Sequence, residues 1–249
     1  MMLARALEPE TLDHLAPDDP VAQRSRRDLR RVNAFMGARR ILARALARAV
    51  VAGAGADANA NANAPLRILE LGCGDGRLML DVARHRGDRW SRAHLDLLDR
   101  QSIVDAATLA AYAAAGWRAR PVVADVLEWA EGAATEPRWD VVVANLFLHH
   151  FDGDALRKLL AACARRADAL VACEPRRSRF ALAASHLIFF LGANAVTRRD
   201  GVLSVRAGFI GSELGAAWAD ASAAATWQLD EYDDGLFTHC FVARRPARP

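Results

Sequence analysis

The segment ILELGCGDGRL, residues 68–78, decides how this chain folds. An apolar strand runs directly into three glycines at alternate positions, Gly72, Gly74 and Gly76, and a helix follows. Glycines at the end of a strand let the backbone turn sharply and let a ligand approach it closely. Arg77 stands where the dinucleotide fingerprint has its third glycine, and no Gly-Lys-Ser/Thr follows. Neither that fingerprint nor a P-loop therefore fits the segment.

Glu70, two residues before the first glycine, narrows the class of ligand. A carboxylate at this strand end would repel a pyrophosphate, whereas it suits a ligand that carries an ammonium group. Glu70 and the glycines together predict a site for such a ligand at the end of the strand.

Downstream of this segment, strands alternate with helices. Apolar runs predict parallel strands at 66–71, 93–98, 120–124, 139–144 and 169–173. Ser102 is expected to cap the helix that ends at Gly116. Two closing strands, at 227–232 and 237–244, are expected to pair as an antiparallel hairpin. The predicted fold is therefore α/β, a Rossmann-like seven-stranded and mostly parallel sheet with helices on both faces and a closing antiparallel hairpin.

The rest of the chain surrounds this α/β pattern. Residues 1–52 are predicted to form an N-terminal helical cap, which Gly37 either kinks or divides into two helices. The Gly-, Ala- and Asn-rich stretch 53–65 predicts a flexible linker. The α/β domain then spans 66–249 and contains a helical insertion at about 176–226.

Composition excludes several classes of protein. Apolar residues make up 53% and charged residues 25% of the chain, which is typical of a globular protein. The net charge of +3 is small and its arginines are dispersed, so no nucleic-acid partner is expected. No stretch is long and apolar enough for stable membrane insertion, and no signal peptide is recognisable. Four widely spaced cysteines indicate reduced thiols and a cytoplasmic location, and the oligomeric state stays open.

The glycine segment resembles the first motif of the class I S-adenosylmethionine-dependent methyltransferases, E/D-x-G-x-G-x-G. The resemblance implies S-adenosylmethionine as the cofactor. It also implies a glycine loop that binds this cofactor through residues of the motif, namely Glu70, Gly72, Cys73, Gly74 and Gly76.

The next three strand ends extend the resemblance. Asp99 ends the second strand, where the family places an acid on the ribose hydroxyls, and Arg100 follows it. Asp125 ends the third strand, where the family's acid accepts a hydrogen bond from the adenine amine and Val126 packs on the ring. After the fourth strand, ANLFLHHF implies that Asn145 and Leu146 line the methionine end. Taken one at a time, each acid is as easily a helix cap.

Histidines near the fourth strand suit proton transfer from an acceptor. His150 is the preferred general base or acceptor-orienting group, and His149 is expected to point away into the structure. His186, in the insertion, is the second candidate for catalysis. The other histidines show no ligand spacing, so no metal site is predicted.

The insertion is expected to build the acceptor pocket. Residues 179–209 contain Phe180, Phe189 and Phe190 beside His186, a composition that suits an aromatic or alkylated acceptor. The arrangement resembles methyltransferases of quinone biosynthesis and polyketide tailoring. The predicted function is methyl transfer to a hydrophobic small molecule, a phenolic, quinone-like or polyketide compound. Protein methylation and cofactor binding without catalysis are the alternatives.

Overall fold

The computed structural model describes residues 3–51, 64–85, 90–132, 138–222 and 226–246. The strands are β1 Leu66–Leu71, β2 Ala93–Asp99, β3 Trp117–Val123, β4 Trp139–Asn145, β5 Ala167–Pro175, β6 Gln228–Asp234 and β7 Thr238–Arg244. The helices are α1 Pro20–Met36, α2 Ala38–Val51, α3 Arg77–His85, α4 Ala106–Ala114, α5 Val126–Glu131, α6 Gly153–Arg166, α7 Arg179–Ser185, α8 Ala195–Ala207 and α9 Glu213–Ala221. Short 3-10 turns span Leu12–His14, Leu148–His150 and His186–Leu191.

The strands form one sheet in the order β3-β2-β1-β4-β5-β7-β6. Strands β1 to β5 run parallel, while β7 is antiparallel to both β5 and β6. The predicted mostly parallel sheet with a closing hairpin is confirmed. Strand order reverses between β1 and β4, and ligands of open α/β sheets bind at the carboxyl end of such a reversal.

Helices cover both faces of the sheet, as the sequence predicted. One core forms where α2, α3 and α4 pack on the strands, and it includes Leu42, Leu46 and Trp117. The other forms under α5, α6 and α9 and includes Leu160 and Trp218. The central strand β4 contributes side chains to both cores, which explains its unbroken apolar run.

The two helices of the predicted N-terminal cap lie at different places in the fold. Helix α1 starts at the Asp19 cap and ends at Gly37, whose φ of +72° is the left-handed conformation that glycine tolerates. Helix α2 packs on the sheet and belongs to its core, so only the residues before Gly37 lie over the sheet edge. The linker predicted at 53–65 falls almost wholly outside the described residues.

The cap of α4 differs from the prediction. Asp105, not Ser102, accepts the hydrogen bond of the Thr108 backbone N–H at 2.6 Å, and the helix begins at Ala106. Val104 packs against the core next to Gly76, so the chain stays irregular past Ser102. Among the described residues, no helix is both long and apolar enough to cross a membrane.

Candidate active site

A cavity of about 630 Å³ lies at the carboxyl edge of the sheet, within the size range of small-molecule sites. Its floor comes from the loops that follow β1 to β4, and its roof comes from α1 and the N-terminal strap, which we define as residues 3–15. Every cofactor residue expected from the sequence except Gly76 lines it, namely Glu70, Gly72, Cys73, Gly74, Asp99, Arg100, Asp125, Val126, Asn145 and Leu146.

The glycine loop needs its glycines for two different reasons. Gly72 has φ +64°, and a Cβ there would stand 2.1 Å from the Phe147 ring, so a side chain is excluded by packing. Gly74 has φ +55°, and a Cβ there would meet nothing within 4 Å. That open space faces the cavity and gives a ligand room to approach the backbone. Gly76 turns inward, where its carbonyl accepts a hydrogen bond from the Tyr112 hydroxyl at 2.6 Å.

Glu70 is a buried carboxyl with an unsatisfied oxygen. Its side chain is 4% exposed, and its Oε2 has no hydrogen-bond partner. Burial, together with the charges of Asp75 and Asp99, raises the pKa of Glu70 to about 8. A buried unpaired carboxyl destabilises a fold unless a partner arrives. Its position beneath the glycine loop fits a cationic ligand, as the sequence predicts.

Asp99 and Asp125 each organise backbone as well as facing the cavity. Asp99 accepts hydrogen bonds from the N–H groups of Gly74 and Gln101, both at 2.9 Å, and thereby fixes the glycine loop. Asp125 caps α5 by accepting from the Leu127 N–H at 2.7 Å, and it is exposed. The helix-cap alternative thus holds for Asp125, and its carboxylate also borders the cavity.

The loop after β4 is held by Glu174, a residue that sequence reasoning missed. Glu174 is fully buried at the end of β5, where its carboxylate accepts from the backbone N–H of Phe147 at 3.1 Å and of Leu148 at 2.8 Å. Leu146 adopts φ +51°, an uncommon conformation for leucine that this anchoring maintains. The only sequence signal was the position of Glu174 at a strand end.

His149 is buried, 3% exposed, as expected of a histidine that points into the structure, and it also borders the cavity. Its Nδ1 lies 2.8 Å from Glu174 Oε2, and its Nε2 lies 3.4 Å from Glu10 Oε1 of the strap. Burial alone would lower the pKa of His149, but the hydrogen bonds to Glu10 and Glu174 outweigh it and raise the pKa to about 9. Next to it, His150 Nδ1 pairs with Asp13 Oδ2 at 3.1 Å.

The structure does not bring His186 to the cavity. His186 is exposed at the end of α7, and Phe180 and Phe190 are 58% and 78% exposed on the outer surface. The Phe189 side chain lies outside the described part of the structure. Helix α7 and the turn His186–Leu191 pack on α8, and α8 and that turn pack on α1. Among the described side chains of residues 179–209, Leu203 and Ala207 line the cavity, and the expected aromatic wall of Phe180 and Phe190 is not part of it.

The N-terminal strap forms the cavity wall that was expected from residues 179–209. Asp200 of α8 accepts from the N–H groups of Thr11 and Leu12, both at 2.9 Å. Arg5 donates to the carbonyls of Phe151 at 2.8 Å and Ala207 at 2.7 Å. These contacts hold Leu7, Glu10, Leu12 and Asp13 in the cavity wall.

Arg100, which directly follows β2, connects the N-terminal strap to the side of the cavity formed by the glycine loop. Its guanidinium donates to the Asp13 carbonyl and lies 3.9 Å from the Asp13 carboxylate. Arg30 of α1 forms an ion pair with Asp75 of the glycine loop at 2.6 Å. Both contacts connect the roof of the cavity to its floor.

The residues present fit S-adenosylmethionine. The unsatisfied Glu70 oxygen suits the ammonium group, the open face of Gly74 admits the ligand to the backbone, and the carboxylates at Asp99 and Asp125 suit hydroxyl and amine donors. Acidic groups along the lining also favour a cofactor with a positive sulfonium.

Comparisons with known proteins agree with this fit. A family model described as a methyltransferase domain matches residues 68–168. The plantazolicin methyltransferase BpumL, solved in complex with SAH, aligns with a TM-score of 0.62 at 11% identity over 92% of this chain and 91% of that chain. Its complex with a triazolic desmethylPZN analog and SAH aligns with a TM-score of 0.61 at 11% identity over 91% and 92% of the two chains.

An O-methyltransferase family protein from Burkholderia thailandensis aligns with a TM-score of 0.49 at 18% identity over 74% of this chain and 52% of that chain. No curated protein matches the chain in sequence. Residues 68–168 therefore match a methyltransferase domain, and the chain shares its fold with the plantazolicin methyltransferase BpumL.

Proposed function

We propose that the enzyme methylates a hydrophobic small molecule of phenolic, quinone-like or polyketide type, bound between the glycine loop and the N-terminal strap. The observation that carries this proposal is one continuous cavity, which runs from Glu70 and Gly74 to His149 and His150. A methyl donor at the glycine loop and an acceptor beside the histidines would share this space.

The acceptor end combines apolar walls with a few polar groups. Leu7, Leu12, Phe147, Phe151 and Leu203 supply the apolar surface. His150 and Glu10 supply the polar groups, and this mixture is typical of sites that orient a small molecule by one or two hydrogen bonds. Because the strap covers the cavity, a small acceptor fits the site better than a folded protein does.

S-adenosylmethionine supplies an electrophilic methyl group when it is bound. The chain's own residues then have three tasks, which are to hold the cofactor, to align the acceptor oxygen and to exclude water. Glu70, Asp99 and Asp125 perform the first. His150 is assigned the second, because Asp13 holds its Nδ1 and leaves its ring facing the cavity. The strap performs the third.

Product analysis tests the acceptor class. The protein would be incubated with methyl-labelled cofactor and, separately, with alkylated phenols, hydroquinones and peptides. We expect label in a phenol or hydroquinone product, identified by its mass. Label only in peptides would overturn the small-molecule assignment, and cofactor binding without any transfer would favour a non-catalytic binding protein.

The role of His150 has its own variant. His150→Ala should lower turnover by about 10- to 100-fold, because misplacing an acceptor by an ångström has an effect of this size. Cofactor affinity, measured by calorimetry, should stay within about twofold of wild type. Wild-type turnover in this variant would remove His150 from the reaction.

A further inference from the structure

Three side chains converge at the acceptor end of the cavity in a way that the proposed function does not require. Glu10 of the strap and His149 and His150 of the turn after β4 each offer one ligand atom, and these atoms all lie within 4.8 Å of one another. All three residues line the cavity. Two imidazoles and a carboxylate are a common ligand set for Zn²⁺ at sites that keep one coordination position open.

Both histidines are paired with a carboxylate through Nδ1. His149 Nδ1 lies 2.8 Å from Glu174, which is fully buried, and His150 Nδ1 lies 3.1 Å from Asp13. In His149 this pairing directs Nε2 toward Glu10, so a metal ion bound there would displace the proton from Nε2. This carboxylate–histidine arrangement is typical of histidines that bind a metal ion.

The distance between His149 Nε2 and Glu10 Oε1 supports the same interpretation. It is 3.4 Å, longer than a well-formed N–H···O hydrogen bond. Two ligand atoms bound tetrahedrally to Zn²⁺ at about 2.0–2.1 Å stand about 3.4 Å apart. The two atoms are therefore already spaced as neighbouring ligands of one ion.

The charge of the surroundings also favours a cation. Glu10, Glu174 and Asp13 place three carboxylates around the two imidazoles, and the nearby guanidinium groups are those of Arg100, beside Asp13, and Arg5, which interacts with Glu174. The side chains of His149, Glu10 and His150 are 3%, 15% and 22% exposed, so an ion here would be partly shielded from water. A divalent ion would offset this local negative charge.

We propose that Glu10, His149 and His150 bind a divalent transition-metal ion of the Zn²⁺ class, with a fourth coordination position that opens to the cavity. The class of ligand for that position is an acceptor oxygen, either a hydroxyl or a carbonyl, and this part rests on the proposed function. The proposal departs from the sequence-based expectation of no metal site, because Glu10 lies 139 residues from His149 in the chain and no local spacing links them.

Metal binding by the full-length protein tests the site directly. After treatment with a chelator, the protein would be titrated with Zn²⁺ in a calorimeter and with Co²⁺ in a visible absorption cell. We expect one ion per chain, visible absorption bands of a low-symmetry four- or five-coordinate Co²⁺ site, and a higher melting temperature with metal. No stoichiometric binding would overturn the proposal.

Variants locate the ion. Glu10 and His150 are partly exposed, so the Glu10→Gln and His150→Gln variants should fold. Each substitution should weaken Zn²⁺ binding at least tenfold. Glu174→Gln removes the carboxylate that positions His149 and anchors the loop after β4, and it should weaken Zn²⁺ binding per folded molecule about 10- to 100-fold. The matched control is His85→Ala, an exposed histidine on α3 outside the cavity, and it should bind Zn²⁺ like the wild type. Equal loss in the control, or no loss in Glu10→Gln and His150→Gln, would place the ion elsewhere and overturn the site.

The outcome separates this site from the proposed function. Zn²⁺ binding at these residues without transfer to any small molecule would overturn the proposed function and leave the metal site standing. Transfer to a phenol by a protein that binds no Zn²⁺ or Co²⁺ would overturn the metal site alone.

Discussion

Two buried histidines in this protein each lie between two carboxylates, and they differ in how completely their ring nitrogens are hydrogen-bonded. His239 of β7 has Nδ1 2.8 Å from Asp233 and Nε2 2.9 Å from Glu231. His149 has one contact of 2.8 Å, to Glu174, and one of 3.4 Å, to Glu10. The partners of His239 both lie on the adjacent strand β6, whereas those of His149 lie on β5 and on the N-terminal strap.

This difference separates a cluster that stabilises the fold, around His239, from one that lies at the candidate active site, around His149. Both ring nitrogens of His239 are paired at hydrogen-bond distance. Glu231 also accepts from the backbone N–H groups of Leu214 and Gly215, so this cluster connects α9 to the hairpin. At the cavity, the Nε2 of His149 and the Oε2 of Glu70 are left poorly paired or unpaired. Groups that are buried without full satisfaction are where a ligand gains the most by binding.

The largest expected effect compares Glu174→Gln with Glu231→Gln. Each change breaks a buried charge pair with a histidine and should lower the free energy of unfolding by about 3–5 kcal/mol, measured by urea denaturation. Only Glu174→Gln should also reduce methyl transfer per folded molecule, because it releases the loop after β4. Equal loss of activity in both variants would erase the distinction between the two clusters.

The second prediction concerns Glu70, the other incompletely satisfied group. Because its pKa is raised to about 8, it is mostly protonated at pH 7, and a cationic cofactor should drive the proton off. Calorimetry in buffers of different ionisation enthalpy should detect nearly one proton released per cofactor bound. Glu70→Gln should abolish this release and weaken affinity about 10- to 100-fold.

Asp125→Asn is the matched control for that measurement. It removes a carboxylate from the same cavity and should weaken binding by a similar factor. Its proton release should stay at the wild-type value. Unchanged affinity in both variants would contradict the assignment of the cofactor site.

The third prediction uses the pH dependence of the His239 cluster. Burial alone would lower the pKa of His239, but its hydrogen bonds to Glu231 and Asp233 outweigh burial and raise it. A histidine whose folded pKa is raised stabilises the protein fully below its unfolded pKa of about 6.5, and loses this contribution as pH rises through the folded value. At pH 6, His239→Asn should cost about 1–2 kcal/mol of unfolding free energy. The gap to the wild type should narrow at high pH, and a constant gap would show that His239 is not charged.

The smallest effect is expected on the outer surface. Leu187 lies in residues 179–209, the segment that the sequence predicts to enclose the acceptor, and it is 58% exposed. Leu187→Ser should change the free energy of unfolding by no more than about 0.5 kcal/mol and should leave turnover unchanged. A loss of acceptor turnover without a loss of stability in this variant would show that the segment does line the acceptor site.

These regions also show what the sequence allowed us to predict. The sheet, its hairpin and the cofactor end follow from local patterns, because Glu70, Asp99, Asp125 and Asn145 each sit at the end of a recognisable strand. The acceptor end depends on contacts between distant residues, such as Glu10 with His149. An exposed aromatic run such as that around Phe190 has the same composition as a pocket wall, and only packing distinguishes the two.

The strap has a further consequence for how the polypeptide matures. Its residues precede the whole sheet in the sequence, yet Thr11 and Leu12 are anchored by Asp200, and Ala6 donates to the Arg206 carbonyl, about 200 positions later. Contacts of such long sequence separation form late, because the intervening chain must first be ordered. The strap therefore takes its place only after the sheet and α8 have formed, so the roof of the cavity is expected to close as one of the last folding steps.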